Sequence, residues 1–331
     1  MPATLECDHA FPRALAVFDE QLPFSMGAIM LPTVMTSSDI GPSVFPRSRT
    51  LPRRAMFGVL ALATSAALLG CRKSSAVSAA QCKEHALMLG GVVKQDVAEI
   101  RNGLPRGAKF LEEYVALGKF EDAGASLEAL DRARNKVQDL RVAKASFFAL
   151  VDAQGAVIRS DNSPDLLAGK NLFEAFPELR QVLTDKYVET RGSIEAASKI
   201  RGGPDAQWVA GAPVHAANAV KAVYAAGWSW SAYAYRLQNH LQSKIRGALP
   251  ENGKEPLTYV YMVVGDSVYG APISPAVNAR AIADQHFFAK AGGAEPEVRE
   301  LVITEREFGL GFLRLPELGK DVGVAVLRSE T

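Results

Sequence analysis

The sequence predicts an α+β protein in which long N-terminal helices precede two antiparallel β-sheets in tandem. Three observations indicate this class. Apolar residues recur at helical spacing between residues 84 and 145. At Ser146 the apolar period changes from 3.6 toward 2, which is typical of strands. A second strand-rich pattern begins after residue 251 and runs to the end of the chain.

An apolar run precedes these elements in the chain. Arg53 and Arg54 precede the uncharged stretch AMFGVLALATSAALLG, which ends at Gly70. A run of this length suits the hydrophobic part of a signal peptide and is shorter than the roughly twenty residues that span a bilayer. An uncleaved anchor and a buried helix are the alternatives.

The residues Leu68, Leu69, Gly70 and Cys71 resemble the lipobox of bacterial lipoproteins. That resemblance implies a diacylglyceryl group on the Cys71 sulfur and cleavage between Gly70 and Cys71. The stretch PRRAMF also resembles a twin-arginine export signal, so Sec and Tat routing both stay open. On the alternative interpretation Cys71 is a small hydrophobic residue of a buried helix.

The predicted organisation places seven segments along the chain. They are an N-terminal extension that is unstructured or precedes the true start (1–52), a lipoprotein signal peptide (53–70), a flexible tether (71–83), a helical stalk or cap (84–145), a first sheet module (146–230), a linking helix (231–250) and a second sheet module (251–331).

Composition excludes several functional classes. The formal net charge is +1, and no block of basic residues alternates with aromatic ones, so a dedicated nucleic-acid binder is not expected. The chain has three cysteines. Cys7 lies in the extension, Cys71 is assigned to lipid and Cys82 is then alone, which predicts an exported protein without a disulfide framework.

Three helical stretches are predicted before the first sheet. In the first, Leu89, Val93, Val97 and Ile100 share one face. The stretch NGLPRG is expected to end it, because glycine and proline are poor in a helix interior. A second helix then runs through Phe110 and Val115, and a third covers about 126–144.

The first module is predicted to contain five strands and one short helix. SFFALVDAQGAVIRSD gives two strands joined at Gly155, a helix follows around 172–183, and KYVETRG, AQWVAGAPVH and KAVYAAGWSW give three more strands. This order is the connectivity of a PAS-like sheet.

These strands carry a resemblance to a known family. The turn from Asp152 to Gly155, the stretch Ala212-Pro213-Val214 and the final strand from Tyr224 to Ser229 resemble the Cache domain, the PAS-like extracytoplasmic module of bacterial receptors. The resemblance implies a sensor fold with a long N-terminal helix and a ligand held on the concave face of the last strands. The family's motif for amino-acid ligands has no match here.

The second half repeats the pattern of the first. TYVYMVVGDSVYGAP is predicted as a hairpin, Ser274 and Pro275 as the start of a helix, and VRELVITE, FGLGFLRL and DVGVAVLR as three strands. Two tandem Cache-like modules, as in double Cache receptors, explain this repetition.

No catalytic, metal or cofactor motif is recognised in the sequence. HExxH, CxxC, GxSxG and phosphate-binding loops do not occur, and the five histidines are scattered. The protein is therefore predicted to be neither an enzyme nor dependent on a cofactor.

Aromatic residues of the first module supply the candidate ligand wall. Tyr224, Trp228 and Trp230 are assigned to one face of the fifth strand, with Trp208 on its neighbour, and the same residues are alternatively core under the N-terminal helices. Asp161, Arg191 and Arg201 are the candidates for holding a charged small molecule.

The sequence thus predicts a lipid-anchored sensor or small-molecule-binding protein of the cell envelope, facing the periplasm or exterior. It contains no kinase or chemotaxis domain, so signalling is expected to pass through a membrane receptor or kinase partner. A structural or assembly lipoprotein that uses its PAS-like surfaces for protein contacts is the alternative function.

Overall fold

A computed structural model of the protein describes residues 54–118, 120, 122–195, 205–289 and 292–330, with side chains from Ser75 onward. The helices are α1 (Arg54–Leu117), α2 (Ala123–Lys136), α3 (Gln138–Val142), α4 (Leu172–Ala175), a 3-10 helix (Pro177–Thr184), α5 (Trp230–Ala248) and α6 (Ala276–Ala283). The strands are β1 (Phe147–Asp152), β2 (Val157–Ser160), β3 (Val188–Ile194), β4 (Asp205–Ala216), β5 (Ala219–Ser229), β6 (Leu257–Val264), β7 (Ser267–Gly270), β8 (Glu297–Ile303), β9 (Arg306–Arg314) and β10 (Val322–Ser329).

Helix α1 is one continuous helix of 64 residues, which corrects two sequence predictions. The tether predicted at residues 71–83 is helical, and Ser75, Ser78 and Cys82 in it are buried. The expected break at NGLPRG is also wrong, because Pro105 lies inside the helix. No helix in the described part of the chain has an apolar stretch long enough to cross a membrane.

Two glycines explain why the helix tolerates the NGLPRG stretch. A Cβ atom at Gly103 would lie 2.6 Å from Leu140 Cδ2, and one at Gly107 would lie 2.5 Å from Leu140 Cδ1. Helix α3 therefore packs directly on the backbone of α1, and this contact offsets the poor helix propensity of glycine. The predicted third helix is divided at Val137 into α2 and α3.

The two sheets have the same strand order. The first is ordered β2-β1-β5-β4-β3 and the second β7-β6-β10-β9-β8, with antiparallel pairs throughout. Each sheet carries a short helical segment between its second and third strands, as the sequence predicts. The tandem α+β architecture is confirmed.

Two helices begin differently from the sequence prediction. Trp230 is the first residue of α5 and does not belong to the fifth strand, because Ser229 caps the helix through its hydroxyl. The N-cap of α6 is Pro275, and no side chain caps this helix. Helix α5 occupies the position predicted for the linking helix.

One face of each sheet packs against α1 and shares a single core with it. The apolar face of α1 runs through residues spaced three and four apart, namely Cys82, Ala86, Leu89, Val93, Val97, Ile100, Leu104, Ala108, Leu111 and Val115. Helix α1 contacts β8, β9 and β10 and also β4 and β5. Ser75 bonds to Glu300 of β8 and Gly90 packs on Leu313 of β9, whereas Gly107, further along the helix, packs on Tyr224 of β5. The opposite faces form two separate clusters, one under α4 and the 3-10 helix and one under α6.

Candidate functional site

Trp228 is a core residue of the first sheet. It lies directly opposite Trp208 across β4 and β5, with the ring centroids 4.7 Å apart. Its indole stacks on Tyr233 of α5 at 4.5 Å, and its N–H donates to the carbonyl of Lys144. The side chain is 1% exposed. Trp228 is therefore packed almost entirely against other residues, with only an edge at a small cavity of about 150 Å³ beside Tyr233 and Arg236.

Tyr224 and Asp161 lie together in a different part of the first module. Tyr224 is fully buried, contacts Phe148 at 6.0 Å between ring centroids and packs on Gly107 of α1. Asp161 accepts hydrogen bonds from the Phe148 N–H at 2.8 Å and from Arg134 at 3.0 Å. Burial raises the pKa of Asp161, opposed by these two contacts. The contacts of Asp161 are therefore structural and do not involve Arg191.

Arg191 occupies a groove between the two sheets. It projects from the edge strand β3 and pairs with Asp321, which follows β9, at 3.0 Å. Two neighbouring depressions of about 340 and 420 Å³ share Glu178 and Arg191 as lining residues. The first is also lined by Trp208 and the second by Trp230. We call these two depressions the inter-sheet groove.

The structure thus unites three of the seven residues predicted for ligand binding. Trp208, Trp230 and Arg191 line the inter-sheet groove, although the two indoles present only narrow edges because they are 1% and 2% exposed. Tyr224, Trp228 and Asp161 lie elsewhere. Arg201 lies outside the described residues.

A hydrogen-bonded network forms one wall of the groove. Arg101 of α1 donates to both carboxylate oxygens of Glu189, at 2.6 and 2.8 Å, and to the carbonyl of Glu317 at 2.6 Å. The hydroxyl of Tyr187 donates to Glu189 at 3.0 Å. The bond to Glu189 raises the pKa of Arg101, while burial and the Glu189 charge raise the pKa of Tyr187. This network joins α1, β3 and the β9–β10 loop.

The remaining charges give the groove a preference for cations. The opposite charges cancel within the Arg101–Glu189 pair and within the Arg191–Asp321 pair. Glu178 accepts a hydrogen bond from the Thr190 hydroxyl at 2.7 Å, and Glu317 lines the same groove. Neither carboxylate lies in a salt bridge with another described residue, although the Glu317 charge is one of those that raise the pKa of Arg101. The groove therefore carries an excess of negative charge that can attract an amine. No group of three potential metal ligands occurs among the described residues.

Sequence reasoning missed Glu178, Glu317 and Asp321. They come from segments far apart in the chain that meet only in the folded protein, and no local pattern marks them. The predicted helix around 172–183 and the predicted last two strands locate the segments that carry these residues, but not their mutual position.

Comparisons with known proteins bear on the fold. No protein-family model and no curated protein sequence matches this chain. The extracellular domain of vpHK1S-Z8, named as a histidine kinase, is similar with TM-score 0.53 and 8% identity over 78% of this chain and 93% of that one. A domain of a sensory box/GGDEF family protein from Vibrio parahaemolyticus gives TM-score 0.52 and 9% identity over 78% of this chain and 98% of that one.

The sensor domain of the Vibrio cholerae histidine kinase DctB is a more remote likeness, with TM-score 0.41 and 16% identity over 81% of this chain and 99% of that one. The strand order and the long N-terminal helix agree with the two similarities that have TM-scores above 0.5. The chain therefore has a tandem PAS/Cache-like α+β fold.

Proposed function

We propose that the protein is a lipid-anchored extracytoplasmic sensor that binds a small molecule and acts through a separate partner protein. The observation that carries this proposal is the pair of sheets with identical strand order on one shared helix. This arrangement is the fold of extracellular sensor domains. A ligand that binds one arrangement of the two sheets better than another shifts the population, and a partner can read that shift.

The inter-sheet groove is the proposed ligand site. Its walls come from both modules, so a ligand there contacts the first module through Glu178 and Arg191 and the second module through Glu317 and Asp321. The left-over carboxylates favour a small amine that also offers a hydrogen-bond acceptor to Arg191. A site that is assembled from both sheets couples binding directly to their relative position.

A screen of amines tests this part of the proposal. The full mature chain is heated with ethanolamine, putrescine, amino acids, purines and carboxylates in turn, and the unfolding midpoint is recorded. We expect an amine to raise the midpoint, and Glu178→Gln to reduce the shift because it removes an unpaired carboxylate. Glu174→Gln is the matched control, since Glu174 is exposed nearby and lines neither depression.

The alternative function predicts a different outcome. A structural or assembly lipoprotein would use its surfaces for protein contacts and would give no shift with any compound. That result would remove the ligand-sensor proposal.

The lipid anchor is proposed to be Cys71, on the strength of the lipobox-like sequence. Cys71 precedes Ser75 by about one helical turn, and the Ser75 hydroxyl donates to Glu300 of β8 at 2.7 Å. An anchor on Cys71 would thus hold the second module close to the membrane without a flexible spacer. This proposal places the protein in the cell envelope.

Mass spectrometry of the Cys71→Ser variant tests the anchor. We expect an uncleaved precursor without lipid, because the modified sulfur is missing. Cys82→Ala is the control and should be processed normally, since Cys82 is fully buried against β9. Normal cleavage of the Cys71→Ser chain would contradict the assignment.

A further inference from the structure

A second cavity lies between α1 and the second module. It has a volume of about 440 Å³ and is open to solvent on one side. Its walls include Leu87, Gly91 and Lys94 from α1, Leu313 at the end of β9, Leu315 just after it, and Lys320. We call it the α1 pocket. It is separate from the inter-sheet groove, although the loop from Pro316 to Gly319 borders both.

Glycines of α1 create the space. A Cβ atom at Gly90 would lie 2.4 Å from Leu313 Cδ2, so the helix backbone rests on the end of β9 at that position. At Gly91, the next residue, a Cβ atom would meet nothing within 4 Å. Two adjacent glycines weaken a helix, and only the first is required by packing. The second leaves room that a ligand can occupy.

The walls of the pocket are apolar and its rim is cationic. Leu313 is 8% and Leu315 2% exposed, which gives a buried aliphatic floor, and Leu87 is 46% exposed at the mouth. Arg314, another lining residue, already donates to the Phe287 carbonyl and lies 3.8 Å from Glu297. Lys94 and Lys320 form no ion pair with any other described residue, and Glu317 is the acid among the lining side chains. The balance attracts an anion.

We propose that the α1 pocket binds a small organic carboxylate with an aliphatic or aromatic body. The two lysines hold the carboxylate at the rim, and the leucines receive the apolar body, as in ligand pockets that combine an apolar wall with a few charged groups. The inference rests on the proposed ligand-binding function but concerns a different cavity and the opposite charge.

Isothermal titration of the full mature chain with benzoate and hexanoate tests the proposal. Benzamide and hexanamide are the neutral counterparts. We expect both carboxylates to bind and each amide to bind at least about tenfold more weakly, because the lysines gain nothing from an uncharged group. Gly91→Leu should abolish binding, since its side chain fills the open space. Gly247→Leu is the matched control, because Gly247 is also helical with nothing within 4 Å of its Cβ position.

A second variant, which changes charge only, tests the proposal even if Gly91→Leu fails to fold. Lys94→Gln combined with Lys320→Gln should weaken carboxylate binding at least about tenfold and leave the unfolding midpoint unchanged. Failure of wild-type protein to bind either carboxylate would overturn the proposal. Unchanged binding in both Gly91→Leu and the double lysine variant would also overturn it, while amine binding in the inter-sheet groove would still stand.

Discussion

At the scale of single residues, the most consequential contact is a buried carboxylate between α1 and α5. Asp96 is 4% exposed and accepts hydrogen bonds from the Tyr233 hydroxyl at 2.7 Å and from both terminal nitrogens of Arg236. Burial and the Asp96 charge raise the pKa of Tyr233 well above its ordinary value. Tyr233 also stacks on Trp228, so this acid ties the aromatic core of the first module to the helix that leads into the second.

Removing this carboxylate should be costly. We expect Asp96→Ala to lower the free energy of unfolding by about 2–4 kcal/mol, because a buried hydroxyl loses its acceptor and Arg236 loses its counter-ion. Urea denaturation followed by circular dichroism measures the change. Glu113→Ala, at an exposed position of the same helix, should stay within about 0.5 kcal/mol of wild type. Equal effects of the two substitutions would show that the Asp96 contacts contribute nothing.

This contact could not be predicted from the sequence. Asp96 interrupts no apolar periodicity, and its partners lie 137 and 140 positions away. The face formed by Leu89, Val93, Val97 and Ile100 was predictable because its spacing is local, and all four residues are buried as expected. Local periodicity identifies which face of the helix is buried, but not which polar side chain is buried beside that face.

At the scale of elements, α1 contains glycines that serve opposite purposes. Gly103 and Gly107 allow Leu140 to reach the helix backbone, whereas Gly91 faces open space. From sequence alone the NGLPRG stretch indicated a helix end, since propensity was the only available criterion. Tertiary packing on α3 and β5 overrides that preference, and this contact becomes visible only when the segments are brought together.

A pair of alanine substitutions separates the two purposes. Gly107→Ala should destabilise the protein by about 1–3 kcal/mol, because the new methyl would lie 2.5 Å from Leu140 and 2.8 Å from Tyr224. Gly91→Ala should stabilise it by about 0.5–1 kcal/mol through helix propensity alone. Thermal and urea unfolding of both variants give the comparison. Stabilisation by Gly107→Ala would mean that α3 and Tyr224 do not press against the helix.

At the scale of the whole molecule, the two modules share one core. Residues of both sheets pack on the same face of α1 within a single apolar cluster. The tandem pattern of strands was predictable because each module repeats a local order. The inter-sheet groove was not, since Arg191 and Asp321 belong to different modules and meet only through the helix that both sheets cover.

The shared core predicts one cooperative unfolding transition. All three tryptophans lie in the first module or at its end, while Cys82 is buried against β9 of the second with burial raising the pKa of its thiol to about 12. In a chain carrying Cys7→Ser and Cys71→Ser, tryptophan fluorescence and thiol labelling should therefore give coincident midpoints in urea. Two separate midpoints would show that each module folds independently.

The uninterrupted course of α1 has a consequence for where a partner can stand. From Cys71 to Leu117 the helix extends about 70 Å, at 1.5 Å for each residue. If Cys71 carries the lipid and the helix stands upright on the bilayer, β8 and β9 lie nearer the membrane than the far end of the helix does. In that orientation a partner embedded in the membrane would meet the second sheet before the first.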